Sequence, residues 1–201
     1  MKTLDLSSNK FGDPALLAFI HAFSRGAVPQ ITHLNLSHNA FTDTSFQRFA
    51  RCLVTKELVD DDWQVTTVLP RLETLLLHNN HITGPGAAAL AQAAGDGALL
   101  KLRALNLSGN AIGDDGVDAL AKAAEDDEVL PTLTELRLCA TGVGERGIAT
   151  LCETIMPRTG GLPALRMLVV DDTFVQHAKL QEVYMARTGH GGVHALKISS
   201  F

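Results

Sequence analysis

Four histidines, His33, His38, His78 and His81, fall in two stretches of similar pattern, THLNLSHN and LLLHNNH, and His38 directly follows Ser37. Neutral imidazoles ligate zinc, and a serine beside a base is the first requirement of nucleophilic catalysis. Neither chemistry is completed by what surrounds them. No cysteine or carboxylate stands at ligand spacing from the histidines, and no oriented set of nucleophile, base and carboxylate can be picked out. The histidines are therefore read as surface residues on a binding face. A third candidate, LNLSGNAIGDDG from Leu105 to Gly116, has glycines and acids where a phosphate or calcium loop would have them. It lacks the Gly-Lys-Ser/Thr ending of a phosphate loop, and two aspartates at a helix start would repel an anion. It also lacks the alternating oxygen ligands and final glutamate of a calcium loop. Asp114 or Asp115 is expected instead to cap the helix that follows. No catalytic residue, metal or cofactor is expected.

Composition narrows the function classes further. The chain has 201 residues, of which 46% are hydrophobic, enough for a substantial core in one unit. A net charge of -5 and the lack of any lysine or arginine cluster argue against nucleic acid as a partner. Three cysteines, Cys52, Cys139 and Cys152, make no disulfide framework, and the first residues carry no apolar signal segment. No apolar run has the roughly 18 residues a membrane span needs. A cytoplasmic, intracellular protein is expected.

The elements that position these residues come from a repeat. Units start at Met1, Ile31, Leu72, Leu102, Leu133 and Leu165, with a partial unit from Val193. The starts are roughly thirty residues apart, apart from a longer gap between Ile31 and Leu72. Three residues into each unit stands a leucine: Leu4, Leu34, Leu75, Leu105, Leu136, Leu168 and Leu196. Five residues in come Leu6, Leu36, Leu77, Leu107, Leu138, Val170 and Ile198. The second half of each unit changes spacing from two to three or four, as in Phe46/Phe49, Val117/Leu120 and Ile148/Leu151. That change marks a strand followed by an amphipathic helix. Pro14 and Pro85 stand where a helix begins. Eight residues in lie Asn9, Asn39, Asn80 and Asn110, then Thr141, Thr173 and Phe201. An amide there can satisfy main-chain donors and acceptors as the strand ends, so stacked asparagines would form a turn ladder, with threonine doing only part of that work.

The pattern LxxLxLxxNxIxxxG followed by an alanine-rich helix resembles a leucine-rich repeat, and the period and helical second half are similar to the ribonuclease-inhibitor-like class. The resemblance extends over essentially the whole chain. It implies an α/β solenoid, a horseshoe with the parallel sheet on its concave face and helices on its convex face, as a single domain over residues 1–201. The class also contains Ran-directed GTPase activators, actin-binding domains and axonemal subunits, so the fold says little about function.

The strand residues between the core leucines are free to face a partner. They include Asp5, Asn35, Leu76, Asn106, Arg137, Val169 and Lys197 in one column, and His33, Glu135 and Met167 in the column two residues earlier, with His78 at the rim. Met167, Val169 and Ala195 are expected to make the C-terminal side of this face apolar. The insertion at about 55–69, a loop or helix extension on the rim, carries the only tryptophan, Trp63, either a partner anchor or folded back over its own helix. Met1 starts within the first strand pattern and Phe201 ends just after the seventh, so an edge-to-edge contact with another subunit or copy is expected, unless the chain is a fragment. The reading is a non-enzymatic protein-protein interaction module or scaffold. Alternatives are a GTPase activator resembling the Ran-directed class and a cytoskeletal or axonemal subunit.

Overall fold

Leucines spaced by two residues project to the same side of an extended segment, and in the computed structural model each such segment is a short strand. The structure describes residues 1–25, 30–59, 62–126, 128–156, 161–175, 177–188 and 197–199. Strand and helix alternate: β1 (Thr3–Asp5), α1 (Asp13–Ser24), β2 (His33–Asn35) and α2 (Asp43–Cys52) come first. A hairpin of β3 (Val54–Val59) and β4 (Asp62–Thr67) follows, then β5 (Thr74–Leu76), α3 (Gly84–Gly95), β6 (Ala104–Asn106), α4 (Gly113–Ala123), β7 (Glu135–Arg137) and α5 (Glu145–Thr154). The chain closes with β8 (Met167–Val169), α6 (Asp172–Val175), α7 (Ala178–Thr188) and β9 (Lys197–Ser199). The sheet is parallel in the order β1-β2-β5-β6-β7-β8-β9. Neighbouring strands need about 4.8 Å and packed helices roughly 8–10 Å, so the stack curves with the sheet inside.

The core lies between the two layers. Leu34, Leu75, Leu105, Leu136 and Leu168 are all buried, as are the helix residues Phe46, Phe49, Leu90, Val117, Ile148 and Leu180. Each such side chain contributes roughly 1.5–3 kcal/mol relative to exposure. The first repeat is less covered: Leu4, Leu6, Phe11 and Phe19 are only partly buried. The insertion differs from the expected loop or helix extension, since Val54 to Thr67 pair as an antiparallel hairpin. Its Val-Thr-rich strands, VTKELV and DWQVTT, have the alternation and β-branched content that favour that form.

Two hydrogen-bond ladders tie one repeat to the next. In the first, Asn80 donates from Nδ2 to the Leu77 and Leu36 carbonyls at 2.9 and 3.0 Å, and its Oδ1 accepts the Phe41 N–H at 3.2 Å. Asn110 repeats this with Leu107, Leu77 and the Ile82 N–H, and Asn39 with Leu36, Leu6 and the Phe11 N–H. Asn9 is exposed and donates to the Ser7 carbonyl. The Thr141 hydroxyl donates to its own strand end, the Leu138 carbonyl, at 2.7 Å. Phe201 and the Thr173 side chain lie outside the described residues.

The second ladder is built of carboxylates, and it corrects the expected role of Asp114 and Asp115. Helix α4 has Ile112 at its N-cap with no side-chain capping bond. Asp114 instead accepts from the Gly144 and Gly147 N–H groups at the start of α5. Asp43 likewise accepts from the Thr83 N–H and hydroxyl at the start of α3, and Asp13 from the Thr42 N–H and hydroxyl and from Ser45 in α2. Each carboxylate thus meets the positive end of the following helix rather than serving its own. Asp115 is highly exposed and pairs with Arg146 at 2.6 Å. At the other end of the molecule, Arg187 of α7 donates to the Ile155 and Leu165 carbonyls at 2.9 Å each, where α5 terminates. Burial pushes the pKa of this guanidinium down.

Candidate functional site

The parallel register sets side chains into rows across the concave face. One row runs Thr3, His33, Thr74, Ala104, Glu135, Met167 and Lys197, and the other Asp5, Asn35, Leu76, Asn106, Arg137, Val169 and Ser199. The last strand departs from the expected register: Leu168 pairs with Ile198, not with Leu196. Lys197 therefore sits beside Met167 in the first row, two residues from the expected position. Val193, Ala195 and Leu196 lie outside the described residues.

Exposure divides these rows. Asp5, His33 and Lys197 are exposed, while Asn35, Leu76, His78, Asn106, Glu135, Arg137 and Met167 are half-buried. Val169 departs from the expectation of an outward-facing residue, being 2% exposed. It lies in the interior of the sheet, between Arg137 and Ser199 in its row. The apolar patch expected on the C-terminal side reduces to Met167 among the described residues, flanked in its row by Glu135 and Lys197.

Short hydrogen bonds hold several of these polar groups. Asp5 accepts from the Ser7 N–H and hydroxyl at 2.9 and 2.6 Å, and these bonds keep its carboxyl below the usual range. Asn35 accepts from the Ser37 N–H and hydroxyl at 3.1 and 2.7 Å. Asn106 accepts from the Ser108 N–H at 3.0 Å. Glu135 and Arg137 form an ion pair with each other. The face is thus held in one arrangement before anything meets it, which reduces the ordering cost of binding.

The histidines come together only in part. The His38 and His78 rings meet edge to face with centroids 5.0 Å apart. Since Asn106 Oδ1 is used by Ser108, its amide NH2 meets His78 Nδ1 at 3.3 Å, which places the ring proton on Nε2. Burial, then the charges of His38 and Arg137, lower the His78 pKa. His33 stands apart beside the Thr32 hydroxyl. Among the described residues no three His, Cys, Asp or Glu side chains converge to hold a metal. The Ser37 hydroxyl is buried and committed to Asn35, so it is not a nucleophile paired with His38. Burial pushes the Cys52 thiol up to about 11 and Cys152 up to about 12, which keeps both unreactive. Trp63 lies in β4, paired in register with Leu58, and its side chain lies outside the described residues.

A family model described as Leucine Rich repeat matches residues 1–19, 30–49, 70–91 and 98–121. The chain contains leucine-rich repeats. Among solved structures, this leucine-rich repeat chain is similar to leiomodin-1 actin-binding site 2, with a TM-score of 0.58 and 17% sequence identity over 82% of this chain and 84% of that one. At that identity the likeness is one of fold. No curated protein matches the leucine-rich repeat chain. No helix among the described residues is long and apolar enough to cross a membrane.

Proposed function

We propose that this leucine-rich repeat chain is a non-enzymatic protein-interaction module, a scaffold subunit of an intracellular assembly, that takes its partner on the concave sheet face. The observation that carries this reading is the pair of rows in which Asp5, His33, Asn35, Leu76, Asn106, Arg137 and Met167 face away from the core, most of them already held by neighbouring hydrogen bonds. Rigid recognition follows from the ladders that fix each strand against the next. His78, Glu135 and Lys197 extend the same surface. The combined variant His33→Glu/Arg137→Glu tests it, compared with Arg48→Glu on the exposed side of α2. Partners retained by the unmodified chain should be lost from the concave variant and kept by the helix variant in quantitative affinity purification. Equal retention by all three would remove the concave face from consideration.

A cytoskeletal reading has one observation in its favour, the fold likeness to a domain titled an actin-binding site. Co-sedimentation of the purified chain with actin filaments separates it from the general reading. Pelleting with filaments supports the cytoskeletal role, and a chain left in the supernatant at saturating actin argues against direct filament binding.

A further inference from the structure

The sheet order β1-β2-β5-β6-β7-β8-β9 places β1 at one end, paired on one side by β2. The Lys2 carbonyl accepts the Thr32 and His33 N–H groups at 2.8 and 3.1 Å, and the Leu6 N–H donates to the Asn35 carbonyl at 2.9 Å. In a parallel ladder, alternate residues of a strand bond to one neighbour and the residues between them face the other way. The main-chain N–H and C=O groups of Thr3 and Asp5 therefore point to the open edge, where they form a template for a further strand.

The layer behind this edge is also open. Leu4, Leu6, Phe11, Phe19 and Ile20 are only partly buried. Their counterparts one repeat later, Leu34, Leu36, Phe41, Phe49 and Ala50, are at most 1% exposed. The difference has a visible source. Phe49 is covered by the Phe23 ring of the preceding helix, with centroids 6.5 Å apart. Helix α1 packs against α2 and has no helix on its other side among the described residues. An apolar strip beside an open strand edge marks surface that a protein covers.

We infer that this edge binds a second copy of the same chain, β1 against β1 in the antiparallel sense, about a twofold axis at Leu4. The register follows from parity and charge. A twofold axis through an antiparallel pair sets one residue opposite itself, because hydrogen-bonded and non-hydrogen-bonded pairs alternate along the ladder. Centring on Leu4 makes Thr3 of each copy the hydrogen-bonded mate of the partner's Asp5, which satisfies the outward main-chain groups of both residues. Centring on Asp5 would set two carboxylates directly opposite each other, and centring on Thr3 would set Asp5 opposite Met1, outside β1. With the axis at Leu4, each exposed Asp5 carboxylate meets the partner's Thr3 hydroxyl on the concave side. Behind the strands, Leu4 meets the partner's Leu4, and the two α1 helices bring their Phe19 and Ile20 side chains together.

The opposite edge of the sheet is a poorer match. At the internal junctions an incoming unit gives the next helix a carboxylate, from Asp13, Asp43 and Asp114. Helix α1 starts at Gly12 with no side-chain capping bond. Among the described residues no helix follows β9 to supply such an acid. A head-to-tail contact through β9 would also leave an open edge at each end and grow without closing. The twofold contact goes beyond the concave-face reading, since it concerns the end of the sheet, and the two fail separately.

Sedimentation velocity of the intact purified chain over a range of concentrations tests this. A reversible species of twice the chain mass is expected, reduced to single chains by Phe19→Glu/Ile20→Glu and unaffected by Arg48→Glu. Substitutions at exposed Thr3 read the register itself and leave the apolar residues in place, so they decide the matter even where the double variant does not fold. Thr3→Asp sets a carboxylate opposite the partner's Asp5 twice per dimer and should raise the dissociation constant about two- to thirtyfold. Thr3→Lys sets an ammonium there and should lower it by a similar factor. Circular dichroism checks the folding of each variant. Single chains at every concentration overturn the inference, as does a change of the same sign in both Thr3 variants. Particles that keep growing with concentration also overturn it, in favour of head-to-tail stacking. Any of these results leaves the concave-face reading standing, since that reading fails only if His33→Glu/Arg137→Glu retains its protein partners.

Discussion

The carboxylate of Asp114 accepts the Gly144 N–H at 2.6 Å, so an acid at the start of one helix caps the start of the next. The same oxygen accepts the Gly147 N–H at 3.1 Å, and a Cβ at Gly147 would come within 2.7 Å of it. Cap and close approach therefore depend on one another. Asp114→Ala is expected to lower stability by about 1–3 kcal/mol, as for the loss of charge-assisted bonds to helix-start N–H groups. Urea denaturation measures this. Asp115→Ala, which removes only an exposed partner of Arg146, should leave the midpoint close to that of the unmodified chain.

Asn110→Ala should be more damaging than Thr141→Ala. The amide serves the Leu77 and Leu107 carbonyls and the Ile82 N–H, whereas the hydroxyl serves the Leu138 carbonyl. Leaving those buried groups without partners costs about 1–3 kcal/mol each, so a loss of about 3 kcal/mol is expected for Asn110 and about 1 kcal/mol for Thr141. A smaller effect from Asn110 than from Thr141 in thermal or urea unfolding would contradict the ladder as the main inter-repeat tie.

Stability should fall in two stages on acidification. Burial and the charges of His38 and Arg137 hold His78 below its ordinary 6.5, so the unfolded chain binds the proton first. Stability present above pH 6.5 is then lost as the pH falls toward the folded value. The second stage belongs to carboxylates below their ordinary 3.8. Asp114 is held there first by the Gly144 N–H and Asp5 by Ser7. For Asp13, burial acts in the opposite direction, but the bonds from Ser45 and Thr42 outweigh it. Their contribution is lost as the pH drops through 3.8 and below. Urea midpoints measured across this range should lose the upper stage in His78→Gln and keep the lower one.

Arg187→Met should destabilise the C-terminal repeats by about 3 kcal/mol, because it removes charged donors from the Ile155 and Leu165 carbonyls. Arg187→Lys should recover only part of this, since a point charge cannot reproduce the planar fork. Equal stability of the methionine variant and the unmodified chain would contradict a bracing role for the guanidinium.

The repeat and its alternation of strand and helix were legible because the leucines, asparagines and helix pairs recur at fixed spacing, and the structure buries Leu34, Phe49 and Leu151 where that spacing puts them. The partners of the acids were not legible. A capping aspartate and an aspartate that caps the next repeat look alike in one sequence, and only the stacking distinguishes them. The turns that lead from helix to strand also left little trace. Leu99, Leu130 and Leu162 are buried with φ of +63, +51 and +49, a left-handed conformation that leucine itself disfavours. Gly109 is explained by its surroundings rather than its neighbours in sequence: φ is +67, and a Cβ would come within 2.1 Å of Asn79 Oδ1. The seventh strand shifted by two residues because Leu196 and Ile198 both suit a core position, so the alternation alone allows either register. The same alternation assigns Val169 to the open face, and it carries no information on how far the neighbouring strands cover a residue in the sheet interior, where Val169 is buried.

Oxidative footprinting of methionines in the purified chain, with and without a captured protein partner, tests the concave-face reading most directly. Met167 lies half-buried on the concave sheet, whereas Met185 on α7 is 66% exposed and Met1 is 70% exposed. The expected result is slower oxidation of Met167 in the complex with Met185 unchanged. Oxidation of Met167 at the same rate in both states, with protection at Met185 instead, would place the partner on the helical side and contradict the reading.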